Sequence, residues 1–400
     1  MTQYSVERMR GFGTSIFTEM SALAMTHDAV NLGQGFPDTD TPAAIKDIAM
    51  QIINNGQNQY PPARGMPILK EAVAAHQQRF YSLAVDPDTE VLVTVGASEA
   101  IAASVLALVE PGDEVLTFDP SYDAYAAAIA LAGGVHRSIT LRFADNGFDA
   151  AVLAAAVSDR TKVILLNNPH NPTGKVFTRQ ELEQIAEVAT AHDVIVVTDE
   201  VYEHLTFDGL RHVPMASLPG MAQRTLTISS GAKTFAATGW KVGWVHGPAP
   251  LIDAVARVKQ YLTFTGAGPF QPAIAHGLGL PDDFFDHLRA SMQARRDVLV
   301  AALNDLGLAT APSQGSYFVV ADVSSLGVDD ALTWCRALPG TVGVAGVPVS
   351  AFCQDSEAAR TLVRFGFCKK ESVLREGTRR LAALGRGSVA TTGMHVTVGE

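Results

Sequence analysis

The sequence predicts an α/β fold, with a mostly parallel sheet covered by helices on both faces and a second, smaller α+β domain. The first observation is a regular alternation, in which short apolar or β-branched runs are separated by segments of helical periodicity. The second is size, because 400 residues of 47% hydrophobic content can form a large domain and a smaller one. The strands predicted for the sheet are 91–95, 114–118, 162–166, 194–197 and 225–228.

Helical segments fill the intervals between these strands and extend the chain at both ends. We predict an N-terminal arm over 1–45 that forms part of the small domain, and a large domain over 46–285. A small C-terminal domain follows over 286–384, and a tail over 385–400, rich in Gly, Ser and Thr, is expected to be mobile. The predicted helices are 42–55, 67–81, 98–109, 125–132, 149–157, 179–191, 281–305 and 373–384.

The overall composition argues against several classes of protein. A formal net charge of −11 argues against a nucleic-acid partner, which would require a basic face. No run of residues approaches the length of a membrane span, and the N-terminus resembles no signal peptide. The three cysteines form no CxxC or Cys/His cluster, so we expect reduced thiols, no metal site and a cytoplasmic location.

One lysine lies in a turn of small and hydroxyl-bearing residues, directly after the last strand predicted for the sheet. Residues 229–235 read Ser-Ser-Gly-Ala-Lys-Thr-Phe, and a second lysine follows at position 241. An amine held in a rigid, desolvated turn can form a Schiff base with an aldehyde cofactor. Hydroxyl groups and a second cation suit a phosphate beside that aldehyde. By itself, this segment leaves open the alternative of two solvated surface lysines.

Two further motifs also follow predicted strands. Residues 165–174 read Leu-Leu-Asn-Asn-Pro-His-Asn-Pro-Thr-Gly, and residues 194–203 read Val-Ile-Val-Val-Thr-Asp-Glu-Val-Tyr-Glu. Ligands of open α/β sheets bind at the carboxyl ends of the strands, which is where all three motifs fall. The pattern of strands and the motifs therefore indicate the same edge of the sheet.

Together the three motifs resemble those of the class I and II aminotransferases, and the resemblance extends from about residue 31 to about residue 384. It implies the fold type I architecture of aspartate aminotransferase and the cofactor pyridoxal 5′-phosphate. It also implies an enzyme that moves an amino group from an amino acid to a 2-oxo acid by a ping-pong Schiff-base mechanism. These small molecules would be its substrates.

The resemblance assigns three catalytic residues. Lys233 would bind the cofactor aldehyde and later carry a proton, for which its pKa must be lowered. Asp199 ends an apolar strand, where an unpaired carboxylate is costly, and would keep the ring nitrogen of the cofactor protonated. Tyr202 would donate a hydrogen bond to the ring phenolate oxygen. An aspartate that caps the next helix and a core tyrosine are the alternatives for the last two.

The cofactor phosphate needs an anion site, which Gly96, Ala97 and Ser98 would provide at the start of a helix. Ser230 and Lys241 would complete it. The commoner pattern of the family has arginine at the position of Lys241. Lysine keeps the positive charge and loses the bidentate geometry, and it also occurs in a subgroup that resembles kynurenine and glutamine transaminases.

The resemblance assigns the remaining site residues to the cofactor ring, the partner subunit and the substrate. Tyr122 would stack on the ring, and Asn171 would contact the phenolate oxygen and the substrate carboxylate. Arg364 would bind that carboxylate bidentately, with Gly35 in the arm closing over it. Tyr60 would reach the phosphate of a neighbouring subunit, which implies a homodimer with shared active sites.

The substrate is less sharply defined by the sequence. The chain is similar to N-succinyldiaminopimelate aminotransferases of lysine biosynthesis and to kynurenine, glutamine and methionine transaminases, and a carbon–sulfur β-lyase on the same fold is a further alternative. A succinylated substrate would need an extra cation, for which Arg64 is a candidate. An aromatic or thioether substrate would suit an apolar pocket, predicted here from Ile16, Phe17, Phe36, Tyr122, Phe264 and Phe352.

Overall fold

The structure is a computed structural model that describes residues 4–385. The predicted mobile tail lies outside the described residues from position 386 onward. Thirteen strands occur within the described part, and they are β1 (Val30–Asn31), β2 (Val91–Val95), β3 (Glu114–Asp119), β4 (Val135–Thr140), β5 (Thr161–Asn167), β6 (Ile195–Asp199), β7 (Thr225–Ser230), β8 (Val242–His246), β9 (Ala309–Thr310), β10 (Phe318–Asp322), β11 (Val344–Ala345), β12 (Val347–Pro348) and β13 (Leu362–Gly366).

Thirteen α-helices lie between and around these strands in the same part of the chain. They are α1 (Ile16–Thr26), α2 (Ala43–Asn54), α3 (Pro67–Tyr81), α4 (Gly96–Leu108), α5 (Asp123–Ala132), α6 (Ala150–Ala156), α7 (Arg179–Ala191), α8 (Gly231–Thr234), α9 (Ala249–Leu262), α10 (Gln271–Leu278), α11 (Asp282–Asp305), α12 (Ala331–Thr341) and α13 (Glu371–Leu381).

The central sheet has seven strands in the order β2-β8-β7-β6-β5-β3-β4. All of its neighbours pair in parallel except at β8, which runs antiparallel to both β2 and β7. The prediction of a mostly parallel sheet is therefore confirmed. Because β2, β3, β5, β6 and β7 run in one direction, their carboxyl ends meet at one edge of the sheet.

Helices cover both faces of this sheet, as the apolar strands require. Along β5, Val163 and Leu165 face a cluster formed with α4, α5 and α9, whereas Ile164 and Leu166 face a cluster formed with α7. Successive side chains of a strand point to opposite faces, so a strand buried on both sides reads as one apolar run. This explains why these strands were recognisable in the sequence.

A second sheet, of four antiparallel strands in the order β12-β13-β10-β9, belongs to the C-terminal part. The arm joins this part, because β1 pairs in parallel with β11 and places Val30 opposite Val344. Helix α11, of 24 residues, leads from one part to the other. The domain boundaries at 45, 285 and 384 stay a prediction.

The sequence did not predict β4, β8, α9, α10 or α12. Strand β4 is an edge strand of mixed polarity and is largely half-buried, so it lacks a clear apolar run. Strand β8 contains Gly243, and a Cβ atom there would lie 2.5 Å from the carbonyl carbon of Gly96. Glycine lowers the strand signal in the sequence, and here it permits the close contact between β8 and the start of α4. Among the described helices, none combines the length and the apolar character needed to cross a membrane.

Candidate active site

A cavity of ≈ 320 Å³ lies at the carboxyl edge of the central sheet, between that sheet and the C-terminal part. Most of the residues predicted from the sequence line it. The predicted residues that the cavity brings together are Gly35, Gly96, Ala97, Ser98, Tyr122, Asn171, Asp199, Tyr202, Ser230, Lys233, Lys241 and Arg364. Tyr60 does not line the cavity of its own chain.

Lys233 lies in the short helix α8, directly after β7. Its Nζ donates a hydrogen bond to the carbonyl of Gly35 at 3.2 Å and lies 5.7 Å from the centre of the Tyr202 ring. Burial lowers the pKa of Lys233 from 10.5 to about 8, although the carboxyl of Asp199 raises it. The neutral, nucleophilic form of the amine is therefore far more populated near neutral pH than it is in an ordinary lysine.

The position of α8 depends on the glycine that begins it. A Cβ atom on Gly231 would lie 2.6 Å from Cδ1 of Ile274 in α10, which is closer than side chains pack. Glycine therefore lets α8 approach α10 directly after the last residue of β7. The close packing of α8 on α10 therefore helps to determine where the Lys233 side chain enters the cavity.

Asp199 is the last residue of β6 and is 5% exposed. Its Oδ2 accepts a hydrogen bond from the hydroxyl of Tyr125 at 2.7 Å, and its Oδ1 accepts one from the N–H of Val201 at 3.3 Å. Burial raises the pKa of Asp199 to about 6, and the hydrogen bond from Tyr125 opposes this rise. The site thus holds a carboxyl group that would gain from a cation placed against it.

The turn after β5 is ordered by Asn167, which the sequence analysis did not single out. Its Nδ2 donates to the carbonyl of Asp199 at 2.8 Å, and its Oδ1 accepts from the N–H of Asn171 at 2.6 Å. Asn167 therefore joins the ends of two neighbouring strands and orients Asn171 toward the cavity. Its position as the last residue of β5, inside the Asn-Asn-Pro motif, was the available signal.

Arg364 lies on β13 and is 1% exposed. Its Nη1 donates to Oδ1 of Asn171 at 3.0 Å, and its Nη2 donates to the carbonyl of Gly33 at 2.6 Å. Within residues 4–385 its Nε has no hydrogen-bond partner and no carboxylate lies within 4.0 Å of the guanidinium. Burial lowers the pKa of Arg364 to about 10. A buried guanidinium without an anion is a strong candidate for binding a carboxylate.

Aromatic rings surround this guanidinium. The Cζ atom of Arg364 lies 4.1 Å from the ring centre of Phe318, 4.9 Å from that of Phe17 and 5.1 Å from that of Phe352. Rings stabilise a cation through their π faces without neutralising it, so the charge stays available to a ligand. Phe318 lines the cavity and was not predicted to do so.

At the opposite end of the cavity, the start of α4 meets Lys241. Its Nζ lies 3.5 Å from Oγ of Ser98, and a Cβ atom on Gly96 would lie 3.1 Å from that Nζ. Gly96 has φ of +73°, which glycine adopts without strain. The N–H groups of the first helical turn have no acceptor within the helix. The start of α4, the hydroxyl of Ser98 and the ammonium group of Lys241 together form an anion site.

The other tyrosines contribute to the walls of the cavity. Burial raises the pKa of Tyr122 to about 12 and raises that of Tyr202 above its usual range, so both rings carry a neutral hydroxyl. Tyr122 lies edge-on to Tyr125 with ring centres 5.6 Å apart, and Tyr202 lies edge-on to Tyr317 at 5.0 Å. Their hydroxyl groups can therefore donate hydrogen bonds across the working pH range.

Two residues considered in the sequence analysis lie elsewhere. Arg64 pairs with Asp253 at 2.7 Å and lines a separate cavity, so it is no part of this site in its own chain. Tyr60 is 82% exposed and packs edge-on against Phe264, with ring centres 5.8 Å apart.

Three of the six residues predicted for the apolar pocket line the cavity of their own chain. Phe17, Phe36 and Tyr122 line the cavity. The residues that do not line it are Ile16, Phe264 and Phe352.

The fold and this cavity define an enzyme of the α/β class whose site presents a nucleophilic lysine, a buried carboxyl group and separate places for two anions. The chain belongs to the family "aminotransferase class I and II", whose sequence profile matches residues 27–381. It is therefore an aminotransferase of fold type I.

Individual relatives agree with this assignment. The chain is 50% identical to a probable N-succinyldiaminopimelate aminotransferase of Mycobacterium tuberculosis, over 95% of this chain and 98% of the relative. It is similar to the solved structure of the N-succinyldiaminopimelate aminotransferase of that organism, with a TM-score of 0.93 at 51% identity over 95% of this chain and all of the other. It is also 40% identical to a methionine aminotransferase of Escherichia coli, over 93% and 96% of the two chains.

Proposed function

We propose that this aminotransferase uses pyridoxal 5′-phosphate and takes N-succinyl-LL-diaminopimelate as its amino donor, a step of lysine biosynthesis. One observation carries the cofactor proposal: Lys233 and Asp199 line a single cavity whose far end is an anion site. The substrate proposal rests on the relative from M. tuberculosis, which shares half of its residues with this chain over nearly its whole length.

The residues present fit this cofactor in charge and in shape. The start of α4, with Ser98, Ser230 and Lys241, would hold the phosphate, and the absent side chain of Gly96 leaves room for Lys241 beside the start of this helix. Asp199, with its pKa raised by burial, would hold the protonated ring nitrogen. The hydroxyl of Tyr202 and the amide of Asn171 would contact the phenolate oxygen, and Tyr122 would stack on the ring.

When bound, pyridoxal phosphate supplies an aldehyde that combines with amines and a protonated ring that withdraws electrons. Lys233 would provide the amine that combines with this aldehyde, and when a substrate amine takes its place, Nζ would be free to accept the proton of the substrate α-carbon. A lysine with a pKa of about 8 is suited to both accepting and returning that proton near neutral pH. Asp199 would keep the ring nitrogen protonated, because a carboxylate that is shielded from water attracts a neighbouring cation strongly.

Residues of the arm, of β13 and of the turn after β5 would orient the substrate. Arg364 and Asn171 would hold the α-carboxylate, with Gly35 closing over it. A Cβ atom on Gly35 would lie 2.7 Å from the Phe318 ring, so only glycine lets the arm pass this close. A carboxylate fixed in this way would limit the orientations in which the α-carbon can approach Lys233, and such a restriction favours proton transfer.

A second candidate donor is an amino acid with an apolar side chain, such as methionine or kynurenine. Within the described residues, the cationic side chains that line the cavity are Lys233, Lys241 and Arg364, and each already has a role. Phe17, Phe36 and Phe318 supply an apolar wall. This wall favours a thioether or aromatic side chain, whereas a succinylated donor would draw its further cation from the partner subunit.

A donor screen distinguishes these candidates. Purified holoenzyme is mixed with N-succinyl-LL-diaminopimelate, methionine, kynurenine or glutamine, and conversion of the cofactor from the aldehyde to the amine form is followed by absorbance. We expect the succinylated donor to give the highest ratio of the single-turnover rate constant to the apparent dissociation constant of the donor. A higher ratio for methionine or kynurenine would favour the second candidate, an amino donor with an apolar side chain. Pyruvate and ammonia from cystathionine without that conversion would indicate a β-lyase.

The exposed position of Tyr60 supports a site shared between two copies of the chain. Tyr60, Tyr261 and Phe264 are 82%, 85% and 47% exposed, and the rings of Tyr60 and Phe264 pack edge-on against each other. Large exposed aromatic residues in one area are typical of an interface. We propose a homodimer in which Tyr60 completes the phosphate site of its partner.

Subunit complementation tests this sharing. Protomers carrying Tyr60→Ala are mixed with protomers carrying Lys233→Ala after partial unfolding and refolding together. If the site is shared, a mixed dimer contains one site with both residues intact, so activity rises well above that of either variant alone. Mixtures that form heterodimers, as seen by mass, but gain no activity would contradict the proposal.

A further inference from the structure

The segment 349–354, between β12 and β13, connects the C-terminal part to the edge of the central sheet. Gln354 makes three of the contacts. Its backbone N–H donates to Oδ2 of Asp119 at 2.7 Å, and its Nε2 donates to the carbonyl of His136 at 3.0 Å. Its Oε1 accepts a hydrogen bond from Oγ of Ser138 at 2.9 Å. Every polar group of the Gln354 side chain is therefore used on β4, the edge strand.

The same segment carries Phe352, which packs beside Arg364 without lining the cavity itself. Phe352 is 5% exposed, its ring centre lies 5.5 Å from that of Phe17, and Cζ of Arg364 lies 5.1 Å from it. Its carbonyl accepts a hydrogen bond from the N–H of Ser121 at 2.7 Å. Ser121 directly precedes Tyr122, which lines the cavity. The segment thus joins one aromatic neighbour of Arg364 to the opposite wall of the site.

We propose that Gln354 is a positioning residue for substrate binding, which fixes Phe352 against Arg364 and thereby sets the place of the carboxylate. This inference rests on the proposed function, in which Arg364 binds that carboxylate. A guanidinium enclosed by rings cannot shift without losing contact with one of them, so the rings restrict its position together with its hydrogen bonds to Asn171 and Gly33. A displacement of about 1 Å at a binding group is enough to weaken binding substantially.

Gln354 can be replaced without opening the core, because its side chain lies at the exposed surface. Gln354→Leu keeps the approximate size and the backbone hydrogen bond to Asp119, and removes the bonds to His136 and Ser138. Gln180→Leu is a matched control, because Gln180 is exposed on α7 at a distance from the segment. Ser138→Ala removes one of the two side-chain bonds from the opposite partner.

We expect Gln354→Leu to raise KM for the amino donor about tenfold and to leave kcat within about threefold of the unaltered enzyme, because the segment that carries Phe352 loses its two side-chain hydrogen bonds to β4 and holds Arg364 less firmly. Ser138→Ala should give a smaller rise, and the double variant should be no worse than Gln354→Leu. Gln180→Leu should behave as the unaltered enzyme. All variants should unfold within about 2 °C of it. A fall in kcat that parallels a fall in unfolding temperature would overturn the proposal.

A binding measurement separates this inference from the proposed function. The probe is 3-phenylpropionate, an unreactive carboxylate with an aromatic end, titrated calorimetrically into holoenzyme. Gln354→Leu should weaken its binding about tenfold, and Gln180→Leu should not. Weakened binding in an enzyme that transaminates no donor would refute the proposed function and support the positioning role. Equal affinity in the Gln354→Leu variant, or no binding to the unaltered enzyme, would overturn the positioning role.

Discussion

Replacing Lys233 with alanine is expected to lower the single-turnover rate of transamination by about 10⁴-fold. The reason is that the nearest other lysine of the cavity, Lys241, lies at the opposite end beside Ser98 and cannot reach the same atoms. The rate is measured as conversion of the aldehyde form of the cofactor to the amine form under excess amino donor. The cofactor should still bind non-covalently, because its phosphate site is unchanged.

Lys162 offers a matched control for this substitution, because it is exposed on β5 and faces away from the cavity. Lys162→Ala should keep the unaltered rate. Borohydride treatment of the unaltered holoenzyme, followed by peptide mapping, should place the reduced adduct on Lys233. An adduct on any other lysine, or turnover retained by Lys233→Ala, would show that the assignment of the amine is wrong.

The central sheet was predictable because its strands are buried on both faces. β3, β5 and β6 each contribute apolar side chains to a helical cluster on either side, so each contains a short, largely apolar run that is distinct in the sequence. β4 was missed for the opposite reason, since an edge strand that is half-buried needs no such run.

The catalytic residues could be predicted because they lie at or just beyond the ends of strands. Asp199 is the last residue of one buried strand, and Lys233 lies in the helical turn that follows the next strand. Parallel neighbouring strands bring such positions together at one edge of the sheet. The partners that tune them were not predictable. Tyr125 reaches Asp199 from α5, across a sequence separation of 74 residues, and nothing in the local sequence of either residue indicates this pairing.

The aromatic wall was predicted only in part, because it forms between two separately folded layers. Phe318 points from β10 into the cavity, whereas Phe264 lies at the surface beside Tyr60. An alternating strand pattern tells which residues share a face, and it does not tell which face meets the central sheet. The position of Arg64 could not be predicted either. It forms an ion pair with Asp253 on α9, and that helix was itself not predicted.

The second large effect is expected at Asp199. Asp199→Asn should lower the single-turnover rate by about 10³-fold, with a smaller change in cofactor affinity. The amide has nearly the shape of the carboxylate and keeps an acceptor for the hydroxyl of Tyr125, so the packing of β6 is preserved. What it loses is the buried negative charge, without which the ring nitrogen of the cofactor releases its proton and the ring withdraws electrons less strongly.

A cofactor analogue methylated at the ring nitrogen separates the charge from the packing. This analogue carries a permanent positive charge, so it should restore part of the rate of Asp199→Asn, at least tenfold, because the proton no longer has to be held. Tyr125→Phe is the companion variant: it removes one hydrogen bond to Asp199 and keeps the carboxylate, and its rate should fall by less than about tenfold. If Asp199→Asn turned over at the unaltered rate, or if the methylated analogue gave no gain, the carboxylate at the end of β6 would be a structural group, held there by Tyr125 and Val201 for the sake of the strand end alone.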